Sequence, residues 1–169
     1  MMQKCTGYVH KYGDNINTDI ITPGKYMELD IREMAEHAME GVDPSFSSKV
    51  SPGDILVARN NFGSGSSRET APLALKAAGI SAVIAVSFAR IFYRNAINIG
   101  LPVLELAAGD IEAIGDGDLL RIDLAEGKVH DVTCGREFSF APIPERLLQM
   151  LSDGGLTAQL EKRIEREEV

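Results

Sequence analysis

The 169-residue sequence predicts an α/β domain with a largely parallel central sheet and an antiparallel C-terminal part, on three observations. The middle of the chain alternates strand and helix: strands at 55–58, 82–86 and 101–106, helices at 67–78 and 88–98. Those strands are short continuous apolar runs, as in a sheet covered on both faces, and right-handed crossovers would set them side by side. From residue 107 the pattern changes to Gly/Asp turns between short strands at 119–124, 128–133 and 137–141, which reads as an antiparallel meander beside the main sheet.

The remaining elements follow in order. Residues 3–9 read as a strand, and Tyr12-Gly13-Asp14-Asn15 as a turn of residues that tolerate unusual backbone angles. A polar-flanked segment, 17–26, carries a Pro23-Gly24 turn. Residues 31–40 have helical composition, with Ile31, Met34, Ala35 and Ala38 on one side. The Ser/Pro-rich stretch 41–52 reads as a loop, and the turn at Ser51-Pro52-Gly53-Asp54 launches the next strand. In the helix 88–98, Phe88, Ile91, Phe92, Ala96 and Ile99 form one stripe, and Gly100 ends it. Pro144 opens a helix over 144–151, Gly154-Gly155 stops it, and a polar helix runs to residue 168. No period repeats and no linker divides the chain, so 1–169 is expected to be one domain.

Composition narrows the function. Hydrophobic residues at 44% and charged residues at 25% are the balance of a globular protein, which at this length buries roughly 70% of its extended surface. A net charge of −8 without a basic cluster argues against nucleic acid. No run approaches the roughly 18 apolar residues of a membrane span, and the first residues carry no secretion signal, so the cytoplasm is expected. Cys5 and Cys134 supply neither a disulfide framework nor the clustered thiolates of an iron–sulfur site. His10, His37 and His130 lack ligand spacing, and Asp116 and Asp118 read as turn residues; no metal or cofactor site is expected in this chain.

The strongest local feature is the loop 60–69, which contains Gly63-Ser64-Gly65-Ser66-Ser67-Arg68-Glu69 between a strand and a helix. Ligands of open α/β sheets bind there, and the glycines let successive backbone N–H groups turn toward an anion. Arg68 can grip a planar carboxylate through two parallel bonds. The same residues also satisfy a capping box, with Ser66 as cap and Glu69 reaching back; both readings can hold. Pro72 would then fall beyond the first turn, a difficulty removed if the helix begins near Thr70. A dinucleotide fingerprint fails because Arg68 stands where its third glycine belongs, and there is no Gly-Lys-Ser/Thr loop. Arg90 and Arg94 lie on the polar face of the second helix, as cleft or interface residues or as solvated arginines.

Three blocks, 12–26, 61–69 and 87–100, together resemble the small subunits of 3-isopropylmalate dehydratase and their homoaconitase relatives. The resemblance covers most of residues 8–106. It implies an aconitase-like swivelling β/β/α domain that closes over a large subunit bearing a [4Fe–4S] cluster, and a hydro-lyase that moves a hydroxyl between neighbouring carbons. It assigns the carbon-bound proton to Ser66 as base, a substrate carboxylate to Ser67 and Arg68 with Ser64 and Gly65 in the nest, and support of a partner histidine to Asp19. The segment Tyr26-Met27-Glu28-Leu29 falls where the family reads the substrate's variable group. Glu28 would repel a third carboxylate, which disfavours citrate and homocitrate.

Glu28 is also not the aliphatic residue expected beneath an isopropyl group, a contact left to Met27 or Leu29, and it is the family resemblance that makes 2-isopropylmalate, in leucine biosynthesis, the leading substrate. Related dehydratases of 2,3-dimethylmalate, 2-methylmalate or homoaconitate are the alternatives, and a non-catalytic carboxylate-binding module is a rival of another class. Self-association before assembly with the large subunit stays open.

Overall fold

Strand β1 (Lys4–Lys11) is shared between two halves of one seven-stranded sheet. In the computed structural model, which describes residues 4–66 and 68–167, its C-terminal half pairs in parallel with β2 (Ile55–Val57), in the register Val9 with Ile55. Its N-terminal half pairs antiparallel with β5 (Leu119–Asp123). β3 (Ala82–Ala85) and β4 (Val103–Glu105) extend the parallel half, β6 (Lys128–Asp131) and β7 (Arg136–Ser139) the antiparallel half. The order β4-β3-β2-β1-β5-β6-β7 is the expected largely parallel sheet with an antiparallel C-terminal part.

Burial follows the pairing. Every residue of β2 and β3 is buried, as strands covered on both faces require, while β1 alternates, with Cys5 and Val9 inside and Lys4, Thr6 and Tyr8 outside. Helix α4 (Thr70–Ala77) buries Ala71, Ala74 and Leu75, and α5 (Arg90–Asn98) buries Phe92, Ala96 and Ile97. Near the C-terminus α7 (Glu145–Ser152) buries Leu148, Met150 and Leu151, whereas α8 (Leu156–Glu167) leaves Leu156, Leu160 and Ile164 exposed.

Several local expectations are corrected. The helix expected over 31–40 is only α2 (Ile31–Ala35); beyond it the bonds tighten to the i→i+3 kind, and Met39, at φ 61°, turns the chain so that its N–H reaches the Ile21 carbonyl. The stretch expected as loop at 41–52 contains α3 (Phe46–Lys49), anchored by the fully buried Phe46 ring. Another short helix, α6 (Ala108–Ala113), lies in the region read only as turns and strands. Helix α4 starts at Thr70, so Pro72 occupies its third position, where a missing N–H leaves no bond unmade. The capping box expected of Ser66 and Glu69 does not form; a complete one joins Asp30 and Glu33 at α2 instead. Ile91 is half exposed, because Ala89 is extended and the helix takes its phase from Phe92, which puts Ile97 in the buried stripe.

One close approach tests this frame. A Cβ on Gly7 would lie 2.0 Å from the Gly53 carbonyl oxygen and 2.8 Å from the Asp54 Cα, both backbone atoms that cannot step aside. Gly109, in α6, has nothing within reach of a Cβ. Gly7→Ala should therefore cost at least about 3 kcal/mol or block folding, while Gly109→Ala should be neutral or stabilise by up to about 1 kcal/mol. Urea unfolding of the two variants checks the contrast.

Candidate active site

The site is made by two segments that leave neighbouring parallel strands and stay paired beyond them. After β1 and β2 part, the Tyr12 N–H still donates to the Val57 carbonyl (2.8 Å) and the Asn15 N–H to that of Asn60 (2.9 Å). The Gly63 N–H then donates to the Ile16 carbonyl (2.7 Å), and the Thr18 N–H to that of Ser64 (2.8 Å). Asn15 and Asn61 both take positive φ, and their side chains join across the gap at 3.2 Å. Beneath the loop, Phe62 exchanges backbone bonds with Ser87 and Ala89, and its ring meets Phe92 edge-on at 5.1 Å. Gly63 has φ +81°, and a Cβ there would fall 2.2 Å from the Phe92 ring, so only glycine fits.

On this platform the reactive groups converge. Asn17 caps the four-residue helix α1 (Thr18–Ile21), whose first side chain, the buried Thr18, points its hydroxyl at Ser66: Oγ1 to Oγ is 3.2 Å. Ser66 is exposed on the outer side of the loop. Arg68 donates through Nη1 to the Thr22 carbonyl (3.0 Å) and to Asp19 Oδ1 (3.4 Å), which also accepts the Gly24 N–H (3.0 Å). Asp19 is held at one oxygen while 70% of its side-chain surface faces outward. Among the described residues no acceptor takes the N–H groups of Gly65 and Ser66, or Arg68 Nε and Nη2. Hydroxyl, guanidinium, carboxylate and unclaimed backbone donors therefore share one small region, a set able to hold a carboxylate and move a proton beside it.

The segment expected to sort substrates runs from two partly buried residues to two exposed ones. Tyr26 is braced backward, its ring stacked on His37 (3.8 Å, 9°) and its hydroxyl on Glu40 Oε1 (3.0 Å). That hydroxyl, with His37 and Lys25, holds the Glu40 carboxyl below the usual carboxylate range against the opposing effect of burial. Met27 is half-buried and its sulfur lies 3.9 Å from the Thr70 hydroxyl, at the start of α4. Glu28 and Leu29 face solvent.

The structure thus gathers Asp19, Ser64, Gly65, Ser66 and Arg68; Met27 meets Thr70 at the start of α4, Tyr26 is held by His37 and Glu40, Glu28 and Leu29 are exposed, and Ser67 lies outside the described residues. A shallow cleft of about 330 Å³ beside Asp19 is floored by Ile20, Pro23 and Gly41 and edged by Lys25 and Glu40. Arg90 and Arg94 instead line grooves between α5 and residues 140–150. Thr18 and the Thr22 carbonyl were not expected. The only sequence signal for Thr18 is its place between the cap Asn17 and Asp19; its contact with a residue 48 positions away appears only in three dimensions.

The aconitase C-terminal domain family matches residues 6–109. A 3-isopropylmalate dehydratase small subunit from Nautilia profundicola is 56% identical over 92% of this chain and 93% of its own length. A methanogen homoaconitase small subunit from Methanothermobacter thermautotrophicus is 51% identical over 94% of this chain and 92% of its own. The crystal structure of 3-isopropylmalate dehydratase from Methanocaldococcus jannaschii superposes with a TM-score of 0.90 at 42% identity, covering 98% of this chain and 99% of that one. The chain belongs to the aconitase C-terminal domain family.

Arg68 does structural work here, since its guanidinium closes the Thr22 carbonyl. Arg68→Gln should cost about 1–2 kcal/mol of folding stability, whereas Asp19→Asn, at an exposed carboxylate, should stay within about 0.5 kcal/mol of the parent. Equal losses in urea unfolding would contradict this division of labour.

Proposed function

We propose that this member of the aconitase C-terminal domain family is the small subunit of a 3-isopropylmalate dehydratase, which isomerises 2-isopropylmalate to 3-isopropylmalate by loss and re-addition of water in leucine biosynthesis. The observation that carries the reading is the meeting of Ser66, Thr18, Arg68 and Asp19 on one loop platform in a chain whose relatives match it over nearly their whole length.

In this reading Ser66, as the alkoxide, takes the carbon-bound proton of the hydroxy acid and later returns it. An aliphatic alkoxide persists only in a converging set of donors. The Thr18 hydroxyl at 3.2 Å and the N–H groups of Gly65 and Ser66 are the donors at hand, with the positive charge of Arg68 close by. With Nη1 committed to Thr22 and Asp19, the Nε/Nη2 edge of Arg68 remains for a two-point bond to a substrate carboxylate. The outward oxygen of Asp19 suits a side chain arriving from a partner. Ser67, Ser64 and Gly65 complete the carboxylate site.

The leaving hydroxyl needs a Lewis acid, which a [4Fe–4S] cluster with an open iron position supplies when bound. This chain's thiols do not gather for such a cluster: Cys5 pairs with Ile122 at one end of β5 and Cys134 approaches Asp118 at the other. The cluster is therefore assigned to a large subunit, which makes the active enzyme a heteromer. No described helix is long and apolar enough to cross a membrane, and the proposed site of action is the cytoplasm.

Met27, half-buried against the Thr70 hydroxyl at the start of α4, offers an apolar contact for an alkyl branch, and the Glu28 carboxylate beside it in the chain would repel a third carboxylate, which favours an alkyl-bearing malate over a tricarboxylate. The homoaconitase relative keeps homoaconitate as the second reading. Anaerobic co-purification with an iron–sulfur large subunit, followed by rates on 2-isopropylmalate, 2-methylmalate, 2,3-dimethylmalate, citrate and homocitrate, separates them. The expected result is a preference for 2-isopropylmalate, with Ser66→Ala lowering kcat about 10²–10⁴-fold at little change in KM. Near-normal turnover by Ser66→Ala would remove that serine as the base. Carboxylate binding by this chain alone, with no turnover in an intact complex, would leave a binding module.

A further inference from the structure

We propose that Asp118, Asp131 and Cys134 form a binding site for one divalent transition-metal ion, with zinc the best chemical match. Asp118 directly precedes β5, Asp131 ends β6, and Cys134 lies in the turn that leads to β7. The antiparallel register of Leu120 with Asp131 brings the three together, and one ligand atom from each falls within 4.8 Å of the others. Cys134 Sγ is 3.7 Å from Asp118 Oδ2. Ligands about 2.0–2.3 Å from a tetrahedral zinc stand about 3.5 Å from one another, so the cluster closes around an ion with small side-chain adjustments.

An independent observation points into the same space. Asp131 is 1% exposed; one of its oxygens accepts the Cys134 N–H at 3.1 Å, and the other, Oδ2, is buried with no hydrogen-bond partner. The Asp118 carboxylate faces it, and among the described residues no lysine or arginine pairs with either acid. Arg136, opposite Asp131 in the β6–β7 register, makes no ion pair with it, and a buried carboxylate oxygen with no donor that faces a second carboxylate is unfavourable unless something positive joins it.

The surrounding backbone is already set. The Gly135 N–H donates to the Asp131 carbonyl (2.8 Å), the Val132 N–H to the Leu119 carbonyl (2.9 Å), and the Leu119 N–H to the Thr133 hydroxyl (2.8 Å). Asp131 and Cys134 are spaced as the paired ligands of zinc turns are, two residues between them. A thiolate beside two carboxylates selects against calcium and magnesium and for zinc or a similar borderline ion, with a fourth position left to water. The rival occupant is a single proton shared by the two carboxylates.

The test uses the full chain, stripped with a chelator and titrated with Co²⁺. One equivalent is expected to produce visible d–d bands and a near-ultraviolet thiolate-to-cobalt charge-transfer band, both erased by Zn²⁺. Cys134→Ser should remove the charge-transfer band and weaken zinc binding by at least about ten-fold, and Asp131→Asn should weaken it similarly. Cys5→Ser should leave both signals intact. Absence of the charge-transfer band, or its survival in Cys134→Ser, would overturn the site, and a proton-sharing pair predicts that absence. Should Asp131→Asn fail to fold, Cys134→Ser, at an exposed position, still decides the question.

Discussion

The short run of backbone bonds that keeps residues 15–18 against residues 60–64 is the constraint on which the site depends. Strands β1 and β2 end after three paired positions, yet their connections continue side by side as if the parallel ladder had not stopped. Each bond alone is worth only about 1 kcal/mol net. Together they set the distance between Thr18 and Ser66, and they carry the Thr22 carbonyl to where Arg68 can reach it. Phe92 makes the arrangement rigid from below, because its ring occupies the volume a side chain at position 63 would need. The positive φ values of Asn15 and Asn61 are a mild strain that this splice offsets, while Gly63 and Gly65 adopt theirs freely.

The splice is possible because β1 serves both halves of the sheet at once. Its C-terminal half is an inner parallel strand and delivers its connection to the edge where β2 and β3 deliver theirs. Its N-terminal half belongs to an antiparallel meander with a solvated face, which is why Tyr8 is exposed while Val9 is buried. Asp54, buried at the start of β2, ties the two regimes: it accepts the Tyr8 N–H, the Ser51 N–H and the His10 ring. The proposed metal cluster sits on the meander beside the same end of β1, where the Val9 N–H meets the Asp118 carbonyl.

What could be read in the sequence follows from which signals are local. Continuous apolar runs and Gly/Asp turns announced the sheet, its mixed character and the loop 60–69, since those patterns need no partner to be recognised. Short helices escaped because α3 exists to bury one ring, Phe46, beside His10 and Tyr12, and no periodicity can develop in four residues. The Ser66 cap failed for the complementary reason. The spacing was right, but Thr18 takes its hydroxyl and α4 begins four residues later, leaving the real capping box to Asp30 and Glu33. The bracing of Tyr26 by His37 and Glu40 could not be read, because those partners lie 11 and 14 residues further along the chain. The metal cluster was hidden because Asp118 joins the Asp131–Cys134 turn only through strand register.

The proposed chemistry follows from the incompleteness of this surface. Ser66 is exposed, Asp19 turns most of its carboxylate to water, and the Gly65 and Ser66 N–H groups have no acceptor among the described residues. In water such groups are solvated and the hydroxyl is a feeble base, so nothing here would ionise Ser66 on its own. The same donors in a cleft that excludes water act at far higher effective strength, because the competing solvent is gone. A second protein surface closing over the loop would supply that change, and would cover Asp19 in the same movement. The stable platform and the unsatisfied outer face are therefore two requirements of one design: the splice holds the donors in place beforehand, and closure makes them count.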